Sequence, residues 1–241
     1  MLTFGIERWD AWSAGIRDEQ SWEQNLRENS TTGHSVSLNN ANHLYLKPRQ
    51  KRRLSAISKI TLDVAFGALG NEAQLSSIFA SRRGEVQRMA GLLQSICKGE
   101  ELSPMAFSLS VHNTTSGLFS IQSGNQAPST AIAAGYDTLS SALIEACSQL
   151  ACGQDKLLLV VSEDIMPEVY ATFADPNEQP VAAAFLLTNK SQYALEIKTA
   201  DQSNQQKLST DQQVKQLLSA VIYNQPGVIQ GERLLCRILP Q

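Results

Sequence analysis

Residues 124–153 read GNQAPSTAIAAGYDTLSSALIEACSQLACG. The run divides into a turn, a buried strand, a tight corner and an amphipathic helix. Pro128 opens the strand, and 129–134 is short and mostly apolar. Gly135 makes the corner, and Asp137 is placed to cap the helix by accepting an N–H from its first turn. Leu139, Ala142, Leu143, Ala146, Leu150 and Ala151 then fall on one face at helical spacing. Gly153 supplies a terminator just past the helix end.

A residue at such a corner faces the open backbone N–H groups of the helix start. That environment suits an anion and lowers the pKa of a thiol placed there, so a strand-to-helix corner is a good seat for a nucleophile. Here the corner residue is Tyr136. A phenol, with an ordinary pKa of about 10, is a poor acyl carrier. The expectation is a nucleophile site with no nucleophile in it.

A length of 241 residues suffices for one domain, 1–241, with a sizeable core. With 42% hydrophobic and 18% charged residues the composition is that of an ordinary globular protein. The net charge of −3 gives no case for nucleic acid or an anionic membrane as partner. Cys97, Cys147, Cys152 and Cys236 form no CxxC pair, and His34, His43 and His112 are not spaced with them as zinc ligands. No metal and no cofactor is expected. Cys97, Cys147 and Cys236 sit in apolar patterns that suit small buried hydrophobes, and free thiols fit a reducing cytoplasm. The N-terminal MLTFGIERWDAW lacks the pattern of a signal peptide. No stretch approaches the roughly 20 apolar residues of a membrane span, so a cytoplasmic location is expected.

In chain order, 3–8 forms a first strand, and Trp9 and Trp12 anchor the loop after it, or stack on a ligand. A polar helix covers 17–27. A loop rich in Ser, Thr and Asn covers 29–43, with His34 and His43 solvent-exposed. Residues 46–70 read as one helix with Pro48 in its first turn and an apolar stripe of Leu54, Ile57, Ile60, Thr61, Val64, Ala65 and Leu69. Lys47, Arg49, Lys51, Arg52 and Arg53 crowd its start, where cations oppose the helix dipole at roughly 0.3–1 kcal/mol each. Either an acidic group in the fold faces them, or they form a docking patch for an acidic partner.

Ser76–Ala80 is a strand, and 85–98 a helix with Val86, Met89, Leu93 and Ile96 on one face. A loop broken by Pro104 covers 99–106, and 107–121 mixes a short strand, a Gly-bearing turn and the first turn of a helix. The apolar run 157–161 fits a central parallel strand covered on both faces. After an irregular excursion over 164–180, strands 181–187 and 193–199 form an antiparallel hairpin turning at 189–191. A polar linker over 200–210, a helix over 211–222 and a strand over 232–239 complete a layered α/β domain. His112, beside Asn113, is either a hydrogen-bonded structural residue or a base working with Ser110, Ser116 or Asp137. No G-x-S-x-G motif accompanies it.

The segment GNQAPSTAIAAGYDTLSSALIEA resembles the nucleophile segment of β-ketoacyl synthases. Gly124, Pro128 and Ser129 lie on its glycine–proline–serine pattern, and Tyr136 falls near the acyl-accepting cysteine. LKPRQKRRLSAISKITLDVAFGAL is similar to a helix of the same family, and LLLVVSED to the strand before its glycine-rich turn, whose glycines are absent here. With WDAW near the start and SVHN before the glycine turn, the likeness covers most of 1–199. The whole pattern is similar to the N-terminal ketosynthase-like domain of chain-length-factor subunits in aryl polyene polyketide synthesis.

The resemblance implies an α/β thiolase-like layered fold, helices packed on a mixed sheet, present only as the N-terminal half. The second half, which supplies two catalytic histidines in the family, is not expected in 241 residues. Cys147 lies about three helical turns beyond the corner and is no substitute. The implied role is a catalytically inactive subunit that pairs with a full-length β-ketoacyl synthase as a heterodimer, stabilising it and shaping its acyl tunnel. Tyr136 would fill the vacant pocket. Phe107, Leu118, Phe119, Ser129, Ile132 and Ala134 would form tunnel wall or interface. Lys47, Arg49, Lys51, Arg52 and Arg53 would dock an acyl carrier protein. The alternatives are an independent thioesterase-like hydrolase and a standalone acyl-binding scaffold.

Overall fold

The computed structural model describes residues 2–13, 16–28, 38, 41–200 and 207–241. Seven strands form one mixed sheet: β1 (Leu2–Ser13), β2 (Ser76–Ala80), β3 (Ser129–Ile132), β4 (Lys156–Glu163), β5 (Val181–Thr199), β6 (Gly227–Gln230) and β7 (Leu234–Pro240). Their order is β3-β2-β4-β5-β7-β6, with β1 also paired to β5. β2 runs parallel to β3 and β4, and the other pairings are antiparallel.

Strand β4 shows why the sheet is covered on both faces. Residues 157–161 are fully buried, and because side chains alternate along a strand they feed two cores. Leu157, Leu159 and Val161 pack in one layer, with α7 (Thr138–Ala151), α8 (Thr210–Ile222) and Trp22 of α1 (Glu19–Glu28). Leu158 and Val160 pack in the other, with α3 (Ala56–Leu69) and Phe119 of α6 (Thr114–Ser123).

Several expectations change. The hairpin over 181–199 is one continuous strand. β1 runs beside it over 181–195, from Ser13 opposite Val181 to Leu2 opposite Leu195. Between the pairs Gly5–Thr188 and Phe4–Tyr193 the residues 189–192 bulge out of register, so the polar stretch is a bulge and not a turn. β4 pairs with 181–188 and β7 with 193–199. Trp9 and Trp12 lie within β1 rather than in a following loop, and Trp12 is 2% exposed in the α3 layer.

The helix expected over 46–70 is two helices, α2 (Pro48–Lys51) and α3, because Ser55 accepts the Ser58 N–H at 3.0 Å and starts a new helix there. No strand forms in 107–121. Pro104 opens α5 (Pro104–Ser108), capped by Ser103, and Thr114 begins α6. The apolar stripe of α4 (Val86–Cys97) turns away from the core: only Ala90 is buried, while Met89, Leu93 and Ile96 are exposed, as is Cys97. β3, expected to be buried, is the exposed outer strand of the sheet. His43 is half-buried, and burial lowers its pKa despite nearby Asp63. His34, most of the 29–43 loop and part of the 200–210 linker lie outside the described residues.

Candidate functional site at the strand-to-helix corner

Gly135 adopts φ +60°, which lets the chain leave β3 sharply. Residues Gly135–Asp137 then make a single 3-10 turn that leads into α7. Asp137 does not cap that helix, contrary to expectation. Its carboxylate instead accepts the backbone N–H groups of Arg233 (3.0 and 3.1 Å) and Leu234 (3.0 Å), which lie where the chain enters β7. Thr138 Oγ1 takes over the local work, accepting from Ala134 N–H at 3.0 Å and donating to Gly135 O at 2.7 Å. Gly231 completes the fit, since a Cβ there would strike the Asp137 carboxylate.

Tyr136 is half-buried and held at its hydroxyl, its carbonyl and its ring. Its hydroxyl donates to Asp175 at 2.5 Å, and its carbonyl accepts from Gln213 Nε2 at 2.7 Å. The Arg82 guanidinium stacks 3.8 Å from the ring centroid, and the Lys207 ammonium lies 5.1 Å from it. Burial, then the Asp175 carboxylate, raises the phenol pKa above its ordinary value. Burial works against the Asp175 carboxylate, but the Tyr136 hydroxyl and Arg82 outweigh it and hold its pKa below the usual range. The corner therefore carries a neutral phenol.

Behind it stands an ionic cluster that sequence reading missed. Glu163, fully buried at the end of β4, accepts from Arg82 N–H at 2.7 Å and from Arg83 Nε at 3.0 Å. Arg83 also bonds Glu178, and Arg82 bonds Asp175 at 2.5 Å. Burial raises the Glu163 pKa to about 7, with Arg83 opposing. The sequence signal was SRRG after β2 and the acidic residues 175 and 178. Nothing local tells which cation meets which anion across some 80–95 positions.

The hydrolase candidates do not converge. His112 Nε2 lies 2.8 Å from Ser81 O, Ser110 Oγ donates to Phe107 O at 2.8 Å, and Ser116 Oγ pairs with Ser129 Oγ at 2.9 Å. Asp137 is committed to the β7 amides, so no nucleophile–base–orienter chain joins these groups. Burial pushes the Cys147 thiol up to about 12, which removes it as a nucleophile. Among the described residues no group of three or more His, Cys, Asp or Glu is placed to hold a metal ion.

The strand leading into the corner is open. β3 ends the sheet order, bonded to β2 on one side only. Ser129, Ala131, Ala133 and Ala134 are exposed and Ile132 is half-buried. α6 lies against this strand, and Ile121 on it is 78% exposed.

Residues 19–229 match the family model of the β-ketoacyl synthase N-terminal domain. The chain belongs to this family. In the structure of the ketosynthase ApeO in complex with its chain length factor ApeC from Xenorhabdus doucetiae, one chain matches with a TM-score of 0.85 at 25% identity, covering 99% of this chain and 100% of that one. The ishigamide ketosynthase/chain length factor matches with a TM-score of 0.67 at 15% identity over 82% of this chain and 67% of that one, which shows a shared fold. A β-ketoacyl synthase from Burkholderia phymatum does so with a TM-score of 0.63 at 12% identity, over 93% and 71%. No curated protein matches the sequence. The architecture is that of the N-terminal half of a thiolase-like ketosynthase.

In this ketosynthase domain the remaining candidates are dispersed. Phe107 on α5 is 64% exposed, Leu118 is partly buried, and Phe119 is a core residue packed between Phe66 (5.7 Å) and Phe79 (5.4 Å). Lys47, Arg49, Arg52 and Arg53 are exposed and Lys51 is half-buried. Among the described residues none of the five is in an ion pair. Arg52 and Arg53 line a groove of about 260 Å³ with Arg88, Ser103 and Met105. No helix among the described residues is long and apolar enough to cross a membrane.

Proposed function

We propose that this ketosynthase-like chain, acting as one domain over 1–241, is a non-catalytic subunit of chain-length-factor type. It pairs with a full-length β-ketoacyl synthase in cytoplasmic aryl polyene or type II polyketide, fatty-acid-like synthesis. The open, apolar β3 carries this reading. Soluble proteins blunt their edge strands by shortness, lysine, proline or a bulge; β3 is short at four residues, but 129–134 carry no lysine or proline. An edge of this kind calls for a second strand. The full mutual coverage with a chain from a ketosynthase–chain length factor complex supports the same reading.

Within that complex Tyr136 stands where a synthase carries its cysteine, and the neutral phenol forms no acyl intermediate. Phe107 and Ile132 reach the partner's acyl tunnel and limit chain extension, Leu118 supports them, and Phe119 backs the wall from the core. Lys47, Arg49, Lys51, Arg52 and Arg53, which form no ion pair among the described residues, dock an acidic acyl carrier protein. The test is co-expression with a ketosynthase, which should yield an equimolar complex. Failure of the two to co-elute at every salt concentration overturns the proposal. A stable monomer that binds acyl thioester by itself supports the scaffold reading instead.

A further inference from the structure

Three side chains from three elements close a ring at the corner. Tyr136 Oη donates to Asp175 Oδ1 and Arg82 donates to Asp175 Oδ2, each at 2.5 Å, while Arg82 stacks on the Tyr136 ring at 3.8 Å. Arg82 comes from the loop after β2, and Asp175 from the 164–180 excursion. Arg83 adds a second tie to the same excursion through Glu178. Gln87 Nε2 donates to Ile165 O at 3.0 Å, and Ser13 Oγ donates to Pro180 O at 3.1 Å.

Within the excursion Met166 and Tyr170 are half-buried and Pro167 and Pro180 are buried, but three of its large apolar side chains face outward. Ile165, Val169 and Phe173 are 44%, 57% and 71% exposed. A segment with so little apolar anchoring opens locally at low cost unless polar ties keep it closed. Of those ties, the Tyr136–Asp175 bond is the one that reaches the corner, two residues past Ala134.

We propose that Tyr136 is a positioning residue: it latches the 164–180 excursion to the corner and so fixes the surface flanking the open end of β3. The residue at the corner holds a neighbouring segment instead of reacting. The latch stands on its own geometry, while its consequence for assembly rests on the partner-subunit reading above.

Tyr136→Phe keeps the ring under Arg82 and removes only the hydroxyl, and Asp175→Asn removes the charge that both partners share. Hydrogen exchange on the isolated chain reads the latch. Each variant should speed exchange of amides 168–175 by about ten-fold or more, as expected on losing a charge-assisted hydrogen bond. The double variant should exceed either single one by little, and amides of β4 and α7 should be unmoved. Unchanged exchange in 168–175, or a uniform rise across the sheet, overturns the latch. Titration with a ketosynthase then reads the consequence: both variants should weaken association by similar factors. Equal affinity to the parent chain overturns the positioning role in assembly. A parent chain that binds no synthase counts against the partner-subunit reading, and the exchange result still decides the latch.

Discussion

The carboxylate of Asp137 and the backbone N–H of Leu234 lie 3.0 Å apart, joining the start of α7 to the entry of β7. With Arg233 N–H on the same carboxylate, one buried side chain satisfies two amides that no strand partner reaches. Asp137→Ala leaves both unpaired. Each buried donor left without a partner costs about 1–3 kcal/mol. Both amides are part-buried, which keeps the expected loss to about 2–4 kcal/mol, or a fall in Tm of about 4–16 °C for a domain of this size. Calorimetry checks it. An unchanged Tm would mean that water or a shifted strand takes over both amides.

The open edge yields a separate expectation. Ala131 is exposed and sits mid-strand in β3. Ala131→Lys places a charge of the kind natural edge strands use against pairing. Stability of the free chain should stay within about 0.5 kcal/mol of the parent, as for most exposed substitutions. Association with a synthase should fall by about ten-fold or more, because a buried, unpaired ammonium is costly. Size-exclusion chromatography of the mixed proteins reads the difference.

What was legible in the sequence was what is local. The apolar period of α7 and the unbroken run of β4 are written in neighbouring residues, and both elements fall where they were expected. Pro128, Gly135 and Gly153 mark turns by chemistry that acts within a few positions. Pairing is not local. The polar residues 189–192 look like a turn, yet β1 carries the strand past them. An apolar stripe states only that it avoids water. In α3 it meets the core, whereas in α4 and β3 it faces outward, and the same pattern served both. The corner itself was found because the helix start and Tyr136 are adjacent in sequence. Arg82, Asp175 and Glu163 were missed because only the fold brings them there.

Asp10 provides a pH signature. It shares the Arg17 guanidinium with Asp63, at 2.9 and 3.0 Å. Asp63 is fully buried and also accepts the N–H groups of Leu44, Tyr45 and Leu46 at 3.0, 2.7 and 2.9 Å. Burial raises the Asp10 pKa to about 7, Arg17 lowers it, and the Asp63 charge raises it further. Burial likewise raises Asp164 to about 6. A carboxyl whose folded pKa lies above its unfolded value binds its proton more tightly when folded. That contribution is complete below the unfolded value near 4 and is lost as pH rises through the folded one. Stability should therefore decline between about pH 5 and pH 7.5. Asp10→Asn, which keeps a neutral side chain there at every pH, should flatten the decline. Urea midpoints across that range test both statements, and a slope unchanged in the variant removes Asp10 as its source.

The cations around α2 and before α3 make the last case. Arg49 and Lys51 lie in the last turn of the four-residue α2 and Arg52 is its C-cap, while Arg52 and Arg53 precede α3, so the helix-dipole contributions are small and oppose one another. Replacing Arg49, Arg52 and Arg53 by Gln should thus leave the Tm nearly unchanged. If the cluster docks an acidic carrier protein, the same triple variant should weaken carrier binding by about ten-fold and flatten its dependence on salt, because screening acts on exposed charges over about 10 Å at 0.1 M ionic strength. Association with the synthase through β3 should be unaffected, since that contact is an apolar strand edge. Binding assays at two ionic strengths separate the two surfaces. A loss of synthase association with carrier binding intact would assign the cluster to the subunit interface instead.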